Sequence, residues 1–255
     1  MPSFPTLEIA PRKAKKFKPL SQVQNMIPYL TSEQMAQVDA LAIEWGIDIP
    51  RMMENAGRNF ARFVFDELSP SSVCVLYGKG NNGADGLVAA RYLHLYGVRE
   101  IRILPASSEG NEFVKHNLAI LEKLGIRPTE ELGKCDLVID ALLGYNLKGA
   151  PRGSYAELIR KANELKNSGA RIAAFDLPSG LDPNTGTCAG ECIKADYTLT
   201  LALPKIALKL APKDVVGKAF VVNLGLPAEL YSALGISVPT DLFSRSDVVP
   251  LKENE

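Results

Sequence analysis

The sequence holds only two histidines, His94 and His116, and four cysteines among 255 residues. That supply argues against a zinc centre, which needs clustered imidazole and thiolate ligands. It also argues against a disulfide-rich secreted scaffold. Cys188 and Cys192 are spaced C-x3-C with no second pair in metal-ligand register, and whether they pair is left open. Cys74 and Cys135 fall in strand-like runs and read as small core hydrophobes. A dominant charge is missing too: Lys+Arg and Asp+Glu each number 29. No global field therefore recruits nucleic acid or an anionic membrane, and small-molecule or protein partners are favoured. No apolar run approaches the ~20 residues that span a bilayer. The amino terminus, "MPSFPTLEIAPRKAKKFKPLSQ", lacks the continuous apolar segment of a signal peptide, so a cytoplasmic location is expected.

What is present is an alternation of short apolar runs and amphipathic ones. Residues 1–28 read as an extended tail with Pro2, Pro5, Pro11 and Pro19 and a basic cluster of Arg12, Lys13, Lys15, Lys16 and Lys18. Two helices are predicted next, in "TSEQMAQVDALAIEWG", capped by Thr31 or Ser32, and in "PRMMENAGRNFARFVFDEL". Strands are then predicted at 71–78, 100–106, 135–144, 170–180, 196–204 and 218–227, with helices at 84–97, 111–124 and 154–169. Continuous apolar strands between amphipathic helices indicate a mostly parallel sheet covered on both faces. The expected fold is α/β, a Rossmann-like doubly wound three-layer sandwich. One domain over 29–245 is expected, with a loose tail at 246–255.

Ligands in such sheets bind beyond the carboxyl ends of the strands. Three of those ends carry unusual residues: "GKGNNGADG", with Asn81, Asn82 and Asp85; "DALLGYNLKGAPRG", led by Asp140; and "FDLPSGLDPNTG", with Asp176 and Ser179. Any one could be ordinary turn chemistry. Three at one edge of one sheet point to a shared polar pocket. Gly78, Gly80 and Gly83 have dinucleotide-loop spacing, yet the acid that should follow about 20 residues later to hold a ribose is missing. The second strand ends "ILPASSEG", with no acid until Glu109. Asp85 would also repel a phosphate at the helix amino terminus unless turned away. Asn82, Asp140 and Ser179 offer hard oxygen ligands, which suit an alkali or alkaline-earth cation. Lys148 could neutralise a phosphate, act on a substrate oxygen, or simply be solvated.

The ordered pieces "TSEQMAQVDALAIEWGI", "RMMENAGR", "GKGNNGADGLVAARYL", "DALLG", "AFDLPSGLDPNTG", "ADYTLTLALPKIAL" and "VNLGLP" resemble the NAD(P)H-hydrate epimerases, the YjeF amino-terminal-type domain. The resemblance implies a fold that interconverts the R and S forms of hydrated NADH and NADPH (NADHX and NADPHX). It implies substrate contacts at Asn81, Asn82, Gly83, Ala84 and Asp85, at Gly144, Tyr145, Asn146, Leu147, Lys148, Gly149 and Ala150, and at Asp176. It implies one potassium ion per subunit at Asn82, Asp140 and Ser179, and a homodimer to which the first two helices contribute. Many relatives carry a further ADP- or ATP-dependent dehydratase domain, here expected on a separate polypeptide. The family loop usually reads Asn-Asn-Gly-Gly-Asp-Gly, and Ala84 replaces its second glycine. An alanine there is costly if the position needs positive φ and harmless if it starts a helix.

Moving a C6 hydroxyl from one ring face to the other requires no hydride, so no separate redox cofactor is expected. Asp176 is expected to be the main acid/base and Lys148 its electrostatic helper or a second proton donor. Two other readings stand beside this one: a non-catalytic nucleotide-binding scaffold of the same fold, and a nicotinamide-dependent dehydrogenase.

Overall fold

The computed structural model describes residues 27–251. The basic cluster Arg12–Lys18 and the last four residues lie outside them. In chain order the elements are α1 (Ser32–Glu44), α2 (Ile49–Phe63, continued by a π-helical turn, Val64–Leu68), β1 (Ser72–Tyr77), α3 (Asn81–Leu95), β2 (Glu100–Pro105), α4 (Glu112–Lys123) and β3 (Leu137–Ala141). There follow α5 (Ser154–Asn167), β4 (Arg171–Phe175), β5 (Tyr197–Leu201), the short α6 (Ala207–Leu210) and α7 (Lys213–Val216), β6 (Lys218–Val222), α8 (Ala228–Ala233) and β7 (Val248–Pro250).

The seven-stranded sheet runs β2-β1-β3-β4-β5-β6-β7, parallel through β6. Only β7 is antiparallel, pairing Val221 with Val249. The expected loose tail is thus corrected: Val249 and Leu251 are buried, and 248–250 close the sheet edge. A three-residue strand has too little alternation to read from sequence. At the other end Ile27 is already in the core, so the fold begins before residue 29.

Alternation along the strands explains why both faces are covered. Val73, Val75, Tyr77, Ile139 and Phe175 join a core with α1 to α4, whereas Cys74, Leu76, Val138, Ile172 and Ala174 pack with Leu158, Ile159 and Ala162 of α5. Phe60 of α2 stacks on Phe175 with ring centroids 4.1 Å apart. Gly57 lets α2 approach α3, since a Cβ there would sit 2.4 Å from Val88 Cγ1. Strand order reverses between β1 and β3, so a crevice opens at their carboxyl ends. Among the described residues no helix is long and apolar enough to cross a membrane.

Candidate functional site

A cavity of about 650 Å³ occupies that crevice, walled by α1 and α2, by the β1–α3 turn, by the loop after β3 and by the ends of β4 and β5. Helix α3 starts at Asn81, three residues earlier than expected, with Gly80 as its N-cap. Both asparagines therefore ride in its first turn. Gly83 must be glycine there, because a Cβ would fall 2.0 Å from the Gly78 carbonyl oxygen. Ala84 is buried in ordinary helix and donates its N–H to Gly80 O at 3.2 Å, so the position does not need a second glycine.

Asn82 is the anomaly of this turn. Both polar atoms of its side chain are buried without a hydrogen-bond partner. Such an amide costs roughly 1–3 kcal/mol unless something outside the chain satisfies it. Gly144 lies against it, its notional Cβ 3.4 Å from the Asn82 Cβ. One residue back, Leu143 donates its N–H to Ser179 Oγ at 2.9 Å. Ser179 in turn donates to Asp140 through its hydroxyl at 2.6 Å and its N–H at 2.7 Å. Burial pushes the Asp140 carboxyl up to about 6 even against those hydrogen bonds. The three oxygen-bearing residues picked out as cation ligands thus converge around one short loop, with a buried acid short of countercharge.

Asp176 forms the floor. It follows β4 with φ +68°, and the Leu177 N–H bonds back to Phe175 O at 2.9 Å. Strand β5 ends the same way: Ala202 has φ +62°, and Leu203 N–H bonds to Leu201 O at 2.8 Å. Such i→i+2 turns about a left-handed non-glycine residue are strained and rare. Here a pair of them, on neighbouring strands, turns the chain so that Asp176 meets Lys205. Lys205 is 1% exposed and its ammonium is fully partnered: a salt bridge to Asp176 Oδ1, Leu201 O at 2.9 Å and Thr200 Oγ1 at 3.4 Å. Three donors, from Lys205, Thr200 and Leu201, all fall on Asp176 Oδ1. No donor among the described residues reaches Oδ2, the oxygen left for a ligand.

Two more carboxyls face this pair. Asp85 is buried, and desolvation, then the nearby Asp176 and Asp39, hold it well above the usual carboxylate range, with Lys205 opposing. The same upward shift weakens the expected repulsion of a phosphate at the α3 amino terminus. Asp39, from α1, is also raised by burial and accepts a hydrogen bond from the Tyr145 hydroxyl. The Tyr145 ring lies over Lys205, with Nζ 5.6 Å from the ring centroid.

Of the residues expected at the substrate, Asn81, Asn82, Asp85, Gly144, Tyr145, Asn146, Leu147, Lys148 and Asp176 line the cavity. Gly83 and Ala84 lie behind that wall, and Gly149 and Ala150 beyond the rim, where Ala150 approaches Gly190. The cation against Asp176 is Lys205, whereas Lys148 is an exposed rim residue. Sequence reasoning passed over Lys205 and Asp39. A lone lysine in "LTLALPKIALKLA" and an aspartate at i+4 from buried Met35 and i−3 from buried Ala42 were the available signals. Cys188 and Cys192 form a disulfide, while Cys74 is buried and free.

Known proteins share this framework. The crystal structure of yeast ynu0 superposes with a TM-score of 0.76 at 23% identity, covering 88% of this chain and all of that one. A Dehalogenimonas lykanthroporepellens protein named NAD(P)H-hydrate epimerase is 38% identical over 81% of this chain and 86% of its own. One of the same name from Rhodopirellula baltica is 37% identical over 80% of this chain and 87% of its own. The Methanopyrus kandleri bifunctional NAD(P)H-hydrate repair enzyme Nnr is 33% identical over 85% of this chain but only 46% of its own. The family model described as YjeF-related protein N-terminus matches residues 50–207, more than half of the chain. The chain belongs to the family of YjeF-related protein N-terminal domains.

Proposed function

We propose that this protein is an NAD(P)H-hydrate epimerase, an isomerase that interconverts the R and S forms of NADHX and NADPHX. The observation that carries the reading is the buried Asp176–Lys205 pair on the floor of a dinucleotide-sized cleft at the sheet's switch point, in a chain whose relatives bear that name. Epimerisation breaks and re-forms either the C6–O bond or the ring C6–N bond. In the C6–O route a group gives the hydroxyl a proton so that it leaves as water, and takes one back when water re-adds. In the C6–N route the same group takes the hydroxyl proton as the ring opens and returns it on closure. Asp176 Oδ2 is free for that exchange while Lys205 holds the other oxygen and offsets charge. Asp85, whose carboxyl burial shifts towards its acid form, can lend a proton as the ring charge changes. The hydroxyl proton is recovered after each exchange and no hydride leaves, which separates this chemistry from a dehydrogenase.

A potassium ion fits the neighbouring cluster. Asn82, whose buried amide has no partner, and Asp140 and Ser179 would hold it, supplying countercharge and fixing the loop after β3 to α3. In the same reading the protein is a cytoplasmic homodimer, the exposed Ile43 and Trp45 of the α1 end supporting a contact there. It also works beside an ADP- or ATP-dependent dehydratase; relatives named bifunctional NAD(P)H-hydrate repair enzyme support a second repair activity beside this one. The test is incubation of the purified protein with one pure NADHX epimer, following the other by chromatography. Interconversion above the spontaneous rate is expected. Its absence, with and without potassium, would leave a binding scaffold.

A further inference from the structure

We propose that Asp39 is a positioning residue for the reaction, acting through Tyr145 to clasp the loop after β3 against α1 and over the Asp176–Lys205 pair. The inference rests on the epimerase reading but concerns a residue outside the three strand-end loops.

The clasp spans 106 residues of sequence and joins the loop after β3 to α1. Asp39 sits on the flank of the buried face of α1, between Met35 and Ala42, where a carboxyl has to find a partner or stay protonated. Tyr145 is its hydrogen-bond donor. Tyr145 belongs to a stretch, Gly144–Lys148, that contributes five consecutive residues to the cavity wall. Its backbone offers little of its own to fix it: a single turn bond, Leu147 N–H to Gly144 O at 3.3 Å, lies within it. The phenol tip is therefore the anchor that ties this wall to α1. The aromatic face meanwhile lies over the Lys205 ammonium, so one side chain belongs to the cavity wall and touches the floor.

The charged and titratable groups that face Asp39 from the surrounding elements are Tyr145, Lys205, Asp176, Asp85 and Tyr231. Of these only Tyr145 makes a hydrogen bond to it. Loss of the clasp frees the wall without removing any group that exchanges protons with the substrate. Positional losses of this kind reach about 10²-fold when reacting groups drift by an ångström. They change kcat and KM together when the affected element closes over the ligand.

The experiment compares Asp39→Ala, Asp39→Asn, Tyr145→Phe and the Asp39→Ala/Tyr145→Phe double variant. For NADHX, kcat/KM should fall by about 10²-fold in Asp39→Ala and Tyr145→Phe. The double variant should fall no further, because each change breaks the same bond. Asp39→Asn should recover much of the loss, since the amide oxygen still accepts from the phenol. Additive losses, or a lower Tm with kcat/KM unchanged, overturn the proposal. A readout independent of turnover is the carboxyl resonance of Asp39 in ¹³C-aspartate-labelled protein. Its pKa should rise further in Tyr145→Phe, because the phenol hydrogen bond is the larger of the two influences lowering it, ahead of Lys205. An unchanged titration refutes the clasp even in an active enzyme. Failure of the unmodified protein to interconvert epimers, with the titration shifting as stated, would instead refute the epimerase reading and leave the clasp standing.

Discussion

Lys205 Nζ is bound to Asp176 Oδ1 across 29 residues of sequence, each side chain delivered by a strand that ends in a left-handed, non-glycine turn. Both groups are almost fully enclosed, so each is the other's principal countercharge. Lys205→Met should therefore lower the epimerisation rate by about 10²–10⁴-fold, the usual worth of a positioned proton-transfer system. It should also destabilise the fold by about 3–5 kcal/mol, the cost of stranding a buried partner. Asp176→Asn should lose comparable activity while retaining ligand affinity. Lys148→Met, at the exposed rim, should change KM by a few-fold at most and leave Tm alone. Chromatographic epimer exchange and thermal melts on the three variants decide the matter. A Lys148→Met enzyme as damaged as Lys205→Met would return the catalytic cation to the rim.

The glycine turn gives a second, opposite pair of expectations. Gly83→Ala forces a methyl to within 2.0 Å of a backbone carbonyl oxygen, and the turn that presents Asn82 has to open. Both stability and activity should fall, with a loss of at least 1–3 kcal/mol as is typical of overpacking, roughly stated. Ala84→Gly meets no such obstacle. It restores the residue usual in the family and should cost only about 1 kcal/mol of helix stability, with turnover within a few-fold of the parent. Urea melts with rate measurements on each variant separate the cases. An Ala84→Gly protein with sharply higher activity would show that the alanine methyl had been obstructing the site.

The contrast marks how far the sequence carries. The alternating pattern located the six parallel strands because apolar runs covered on both faces leave a clear signature, as in Val73–Tyr77. The Asp140–Ser179 contact was legible as chemistry, since hard oxygen donors fell at the ends of strands that such a sheet must bring together. Lys205 was not legible. Its partnership with Asp176 depends on two γ-type turns, and nothing in "FDLP" or "LALP" announces positive φ at a residue other than glycine. Asp39 was hidden differently: an aspartate on an amphipathic helix is normally solvated, and nothing in the sequence announces that Tyr145, 106 residues on, donates to this one. Val248–Pro250 was missed because a short edge strand gains its place from β6 and not from its own pattern.

Asp85 provides the pH dependence. Its folded pKa lies above the ordinary value of 3.8, raised first by burial and then by Asp176 and Asp39. The folded state therefore holds this proton more tightly than the unfolded chain. Stability from this group is fully present below 3.8 and is lost as pH rises towards the folded pKa, levelling off above it. Asp85→Asn keeps the shape and removes the ionisation. The stability difference between variant and parent should be small at the acid end and grow in the variant's favour with rising pH. Epimerisation should meanwhile fall, a trade of function for stability. Denaturant midpoints taken across pH test this. A difference that does not vary with pH would mean that Asp85 has the same pKa in the folded and unfolded states, as a solvated carboxyl does.

Asn82 ties the cation to a measurable stability. An amide with both polar atoms buried and unpartnered is a standing cost, of which a bound ion would remove the Oδ1 share. If potassium binds the folded protein alone, raising it to 100 times its Kd adds about 2.7 kcal/mol. For a chain of this size that corresponds to a Tm increase of roughly 5–10 °C, at about 2–4 °C per kcal/mol. Choline at matched ionic strength should give none of it. Asn82→Leu has nearly the same shape and no orphaned polar atoms, so it should melt near the unliganded parent or slightly above it and lose the potassium response. Asp140→Asn should lose the response too, since the cluster's one carboxylate is gone. Equal melting temperatures in potassium and choline for the parent protein would exclude the ion from the Asn82–Asp140–Ser179 cluster and leave the Asn82 amide to the substrate.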